Sequence, residues 1–125
     1  MDVFGLGQCS LDVIGRIPAW PLPDTKCEFH DMVIQGGGPA ATALVALSRW
    51  GLSCHFAGVA GDDSFGRQIA GFLRDEGVDV SGLVERPAAR SQFAFVAAEP
   101  GGRRTLFWQR PTGRALAPSE LRMDL

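Results

Sequence analysis

Three consecutive glycines, Gly36 to Gly38, stand where the chain changes its apolar period. Before them, CEFHDMVIQ (residues 27–35) alternates apolar and polar side chains, the mark of a half-exposed strand. After them, from Pro39 to Trp50, residues Ala43, Leu44, Leu47 and Trp50 fall on one helical face. Pro39 suits the first helical turn and Gly51 the left-handed position after the last. The first amides of a helix are unpaired donors carrying partial positive charge, and backbone without side chains lets a ligand approach them closely. The motif is therefore either a ligand cradle or a turn that serves only chain reversal.

The same exchange of strand for helix occurs again. SCHFAGVAG (53–61) reads as a buried strand and DDSFGRQIAGFLRDEG (62–77) as a helix. Asp62, Asp63 and Ser64 are its capping candidates, Phe65, Ile69, Phe72 and Leu73 share a face, and Gly77 stops it. With a strand at Val3–Leu6 and another in SGLVE (81–85), the alternation predicts a mainly parallel α/β sheet flanked by helices. Three segments do not fit a sheet buried on both faces: Leu11–Ile17, Cys27–Gln35, and a hairpin over 92–108 that turns at Glu99–Gly102. Their alternation predicts a small antiparallel sheet with one dry and one wet face, a lid on the parallel body. PAWPLPDTK (18–26) is an irregular connection, and the tail from Pro111 is turn-like, with a helix beginning near Pro118.

A length of 125 residues fits one domain or part of a larger one. With 46% hydrophobic and 21% charged residues, the composition is that of a soluble globular protein. The net charge of −2 gives no case for nucleic acid or an anionic membrane. Residues 1–85 hold five basic and eleven acidic side chains, whereas 86–125 hold seven and three. The late arginines (Arg86, Arg90, Arg103, Arg104, Arg110, Arg114) read as a solvated face. Cys9, Cys27 and Cys54 are too widely spaced for a disulfide framework or a metal pair, and His30 and His55 add no ligand spacing, so no metal site is expected. The start lacks a basic signal-peptide region and no apolar run spans a membrane, which predicts a reduced, cytoplasmic protein.

The nucleotide-binding glycine motifs fail here. A Walker loop needs Gly-Lys, and the one lysine, Lys26, is far from any such loop. GLGQCS (5–10) has two glycines of a Rossmann fingerprint but Ser10 in place of the third, and it runs on into a strand. Asp12, between Leu11 and Val13, is a polar residue in an apolar stretch. Its carboxylate could accept hydrogen bonds from two neighbouring hydroxyls, as a polyol offers, or it could be an alternating surface residue of a flap strand. In doubly wound sheets ligands collect beyond the carboxyl ends of the strands, where Asp12 and the glycines would converge.

Four segments resemble the amino-terminal half of the PfkB (ribokinase-like) carbohydrate kinases. They are GLGQCSLDVIGRIPAWP (5–21), GGGPAATALVALSRWG (36–51), FAGVAGDDSFGRQIAGFLRDEGVDVSGL (56–83) and SQFAFVAAEPGGRRTLFW (91–108). The resemblance implies an α/β, ribokinase-like body, incomplete in residues 1–125, with a small β lid over a sugar or nucleoside. It implies that Asp12 accepts sugar hydroxyls, that Gly37 and Gly38 let the sugar lie against backbone, and that Gln92 and Phe93 touch or cover it. Thr42 stands where family members commonly have asparagine, keeping a hydroxyl but losing the amide's paired donor and acceptor. Gly61–Gly66, GDDSFG, is implied to be a structural turn and helix cap despite its paired carboxylates.

Family catalysis uses a D-T-x-G-A-G-D motif, whose last aspartate acts as base and whose glycines form an anion hole. No such motif lies in residues 1–125, so no catalytic residue is expected among them. ATP and Mg are implied as cofactors held mainly by the other half of such a kinase. The expected function is the substrate-binding and lid portion of an ATP-dependent carbohydrate or nucleoside kinase. The competing reading is a noncatalytic sugar-binding or dimerisation module, with a second subunit's lid as partner for the apolar hairpin.

Overall fold

Cys54–Gly61, the strand read as buried, is the middle of a parallel sheet in the computed structural model, which describes residues 1–122. The strands are β1 (Val3–Leu6), β2 (Ser10–Arg16), β3 (His30–Gly37), β4 (Cys54–Gly61), β5 (Asp79–Arg86), β6 (Phe93–Ala98) and β7 (Arg104–Gln109). Helix α1 (Pro39–Arg49) follows β3, α2 (Ser64–Asp75) follows β4, and a single 3-10 turn forms at Pro118–Glu120. The body sheet has the order β1-β4-β5, parallel throughout. Phe56 of β4 is fully buried among Leu44 of α1, Ile69 and Leu73 of α2, Cys9, Leu11 and Val78. A phenylalanine buried in this way contributes about 1.5–3 kcal/mol. The carboxyl ends of the two helices are tied together, since Arg49 donates twice to the Glu76 carboxylate and Ser48 Oγ donates to the Glu76 carbonyl at 2.7 Å.

The segments expected to form a lid make a second sheet, here called the lid sheet or lid for that expectation, ordered β3-β2-β6-β7. It is not wholly antiparallel as expected: β2–β3 and β6–β7 are antiparallel, but β2 and β6 run parallel, Asp12 opposite Ala94. Both β2 and β6 leave the carboxyl end of a body strand, β1 and β5, so they enter the lid in the same direction. The segment Cys27–Phe29 lies outside β3, which begins at His30.

Three other expectations change. Trp50 is 80% exposed rather than part of the inner helical face, because it stands at the carboxyl cap of α1 and the buried residues are Ala41 and Leu44. The fifth strand is longer than SGLVE. Arg86 does not belong to a solvated face. It is buried, donates to both Glu120 oxygens at 2.7 Å and to the carbonyls of Arg114 and Ala115 at 2.9 Å, and so straps the tail to the body. Arg86, the Ala117 amide and Arg114 together hold the Glu120 carboxyl well below the usual carboxylate range. Cys9 and Cys54 are buried free thiols, and burial pushes Cys9 up to about 12. Among the described residues no helix is long and apolar enough to cross a membrane.

Candidate functional site

The lid and the body meet at two places where backbone passes close to backbone. One is Gly37–Gly38, between β3 and α1. Gly38 has φ 97°, which L side chains rarely adopt, and a Cβ there would lie 2.6 Å from the Gln8 carbonyl oxygen. Gly37 has no such backbone demand. It is bare for a different reason: a methyl group on it would overlap the Asp12 carboxylate and lie 2.8 Å from Ser10 Oγ. The space is reserved for the carboxylate.

Asp12 sits in the middle of the lid sheet, two residues past the start of β2. Its Oδ1 accepts from Ser10 Oγ–H at 2.8 Å, which orients the group and leaves Oδ2 for other donors. Cross-strand partners share a face, so Gln35, Asp12, Ala94 and Trp108 form one row, with Val33, Ile14, Val96 and Leu106 in a row beside it. Two cavities open beside Asp12. The larger, about 610 Å³, is lined by Asp12, Gln35, Gly37, Gly38 and Thr42 and reaches the α2 residues Ile69 and Phe72. The smaller, about 320 Å³, is lined by Ser10, Asp12, Gly38, Gln92, Leu106 and Trp108. Asp12 and Gly38 belong to both. No side chain caps the amino end of α1, where Thr42 N–H donates to the Gly38 carbonyl at 2.9 Å. Such an arrangement can hold a small polyol: a carboxylate for hydroxyls, bare backbone below, and an indole and a leucine beside it.

Of the residues singled out in the sequence, Asp12, Gly37, Gly38, Thr42 and Gln92 line these cavities. Phe93 does not. It pairs with Leu11 on the opposite face of the sheet and stacks on Phe65 of α2, ring centroids 5.0 Å apart. Adjacent strand residues point to opposite faces, so Gln92 and Phe93 cannot both face a ligand from an extended strand. Ser10, Gln8 and Trp108 are cavity residues that the sequence reading did not single out as site residues. A turn at Glu99–Gly102 would set Ala94 opposite Phe107; the hairpin instead closes with Glu99 N–H donating to the Arg103 carbonyl at 2.8 Å, and this one-residue difference sets Ala94 opposite Trp108. Its placement beside Asp12 needs the parallel β2–β6 pairing as well.

Asp63, from the paired carboxylates of GDDSFG, caps α2 by accepting from Gly66 N–H at 2.7 Å, while Asp62 is exposed. Among the described residues no three His, Cys, Asp or Glu side chains are grouped to hold a metal ion, and Lys26 lines neither cavity.

Residues 2–125 match the family described as pfkB family carbohydrate kinase. Fructokinase-1 of Zea mays is 42% identical over 125 residues, covering 98% of this chain and 38% of that protein. Among solved structures, a protein of Agrobacterium tumefaciens assigned as a ribokinase superposes with a TM-score of 0.82 at 26% identity, over 94% of this chain and 40% of that one. Ribokinase of Arabidopsis thaliana, solved with ribose and ATP, gives a TM-score of 0.73 at 19% identity, over 85% of this chain and 35% of that one, a likeness of fold. The chain spans about two fifths of the length of these proteins.

Proposed function

Because this chain belongs to the pfkB family of carbohydrate kinases, we propose that it is the acceptor-binding and lid portion of an ATP-dependent kinase that phosphorylates a hydroxyl of a sugar or nucleoside. The observation that carries this reading is Asp12: a carboxylate fixed by Ser10, facing a cavity, over a glycine whose side chain would displace it. Asp12 accepts hydrogen bonds from ring hydroxyls, Gly37 leaves the carboxylate the space to do so, and Gly38 presents bare backbone to both cavities. Trp108 and Leu106 cover an apolar face of the ring and keep water from it. Thr42 offers one hydroxyl to the larger cavity, which Asp12 also lines.

ATP would supply the phosphoryl group. The base and the anion hole belong, in this reading, to the rest of the protein. The Zea mays relative makes fructose the first sugar to test, and a cytoplasmic setting, where thiols stay reduced, suits the free cysteines. The exposed apolar face of the lid around Phe107 and Ile34 suits pairing with a second subunit's lid.

The test is a thermal-denaturation screen of the full-length protein against sugars and nucleosides. A ligand at a hundred times its Kd stabilises by about 2.7 kcal/mol, a shift of several degrees. The expected result is a shift with one class of polyol that Asp12→Ala abolishes. No shift with any of them, or a shift that survives Asp12→Ala, overturns the reading.

A further inference from the structure

The second junction of lid and body is at Ser91, between β5 and β6, and it is held by a carboxylate from another element. Ser91 is fully buried. Its N–H donates to Asp63 Oδ2 at 2.9 Å and its hydroxyl donates to Asp63 Oδ1 at 2.7 Å, while its Oγ accepts from Gly61 N–H at 2.9 Å. The glycines of GDDSFG are packed against backbone beside this contact: a Cβ on Gly61 would overlap the Ala89 carbonyl oxygen and lie 2.7 Å from Ser91 N, and one on Gly66 would overlap the Gly61 carbonyl oxygen and lie 3.0 Å from Ser91 Oγ. Two residues beyond Asp63, Phe65 stacks on Phe93, two residues beyond Ser91. The first turn of α2 therefore grips the root of β6 twice, by a charged hydrogen-bonded contact and by an aromatic one. Burial opposes ionisation of Asp63, but the Ser91 hydroxyl and amide and the Gly66 amide outweigh it and hold the carboxyl below its ordinary value.

Gln92 lies between these two contacts. Its carbonyl accepts from Leu11 N–H at 3.0 Å and its residue lines the smaller cavity with Trp108. A helix cap alone needs one acceptor oxygen. Here the second oxygen goes wholly to a segment 28 residues away in the chain, and the first is shared with it.

We propose that Asp63 and Ser91 are positioning residues, a latch that fixes the root of β6 on the body and thereby sets Gln92 and the lid strands at the mouth of the polyol cavity. The consequence for ligand binding rests on the kinase reading above, whereas the consequence for the lid strand does not.

The test uses the full-length protein and two variants. Asp63→Ser keeps a capping oxygen for α2 but cannot accept from the Ser91 amide and hydroxyl together. Ser91→Ala leaves the cap intact and removes the hydroxyl. In both, amide hydrogen exchange should speed up about tenfold in β6 and stay unchanged in the body of α2, as loss of a charge-assisted hydrogen bond implies. The KM for the accepted sugar should rise about tenfold at an unchanged kcat, since the latch places the acceptor site and touches no reacting atom. Should Asp63→Ser fail to fold, Ser91→Ala alone decides. Unchanged β6 exchange in Ser91→Ala, or β6 and α2 accelerating together, overturns the latch. Faster β6 exchange in a protein that binds no sugar upholds the latch and sinks the kinase reading instead.

Discussion

Substituting the three glycines one at a time separates backbone demand from ligand demand, and Gly37→Ala is the decisive member. The φ of Gly37 is not in the left-handed region, so alanine fits the backbone there. Its methyl group does not fit the Asp12 carboxylate, which must rotate away and lose its bond from Ser10. For stability, the lost hydrogen bond costs about 1 kcal/mol, and replacing glycine recovers about 0.4–1 kcal/mol of unfolded-state entropy. The two nearly cancel. For binding nothing offsets the loss: each hydrogen bond to a charged group is worth about 1.5–3 kcal/mol, so a displaced carboxylate raises the sugar KM roughly tenfold to 150-fold.

The assay is coupled ADP release by the full-length protein, beside thermal denaturation of the same preparations. Gly36→Ala should be mild in both, since Gly36 is exposed and its Cβ would come no closer than 3.2 Å to Phe72 Cβ. Gly38→Ala should lower Tm sharply, because it combines φ 97° with a clash against the Gln8 carbonyl. Gly37→Ala should raise KM with Tm within a few degrees of the parent. A KM equal to the parent's would refute the reasoning, because the carboxylate would then have no part in holding the sugar. A KM rise matched by a fall in Tm as large as that of Gly38→Ala would refute it too.

Two further outcomes are expected. Hydrogen exchange in the β6–β7 hairpin should slow when sugar binds, since Leu106 and Trp108 lie in the cavity wall; equal protection with and without sugar would count against a lid. Residues 1–125 produced alone should give no ADP release above background with any sugar, because a general base and phosphate charge stabilisation each contribute roughly a hundredfold or more and, on the proposed reading, both come from the rest of the protein; turnover by a monodisperse preparation would mean that Asp62 or Asp63 does chemistry.

The body was legible because its signals are local. A buried run followed by a capped amphipathic helix announces itself in sequence, and Asp63, Gly51 and Gly77 stand where the helix ends require them. What failed depended on partners far along the chain. The parallel pairing of β2 with β6 joins residues about 80 positions apart, and no periodicity reports it. Without that pairing, nothing distinguishes Gln92, which faces the cavity, from Phe93, which faces the core; a shift of one residue exchanges the two faces of a strand. The burial of Arg86 likewise depends on Glu120, 34 residues later, and a count of charges reads such an arginine as solvated. Trp50 satisfied the helical period and is still exposed, because the period gives a face and the cap position takes its side chain off the sheet.

The same long-range pairing has a consequence for how such a site would work. Asp12 lies on the lid, while Gly38 and the start of α1 belong to the junction with the body, and the cavities are formed only where the two meet. A ligand that contacts both favours the arrangement in which they are close, by as much as it binds that arrangement better than an open one. Sugar affinity and lid position are then one equilibrium. On the latch proposal, residues that do not touch the ligand, Ser91 and Phe65 among them, would act on affinity through the population of the closed arrangement. Substitutions at the junction should therefore appear in KM, whereas substitutions on the far side of the body, at Phe4 or Cys54, should appear in Tm.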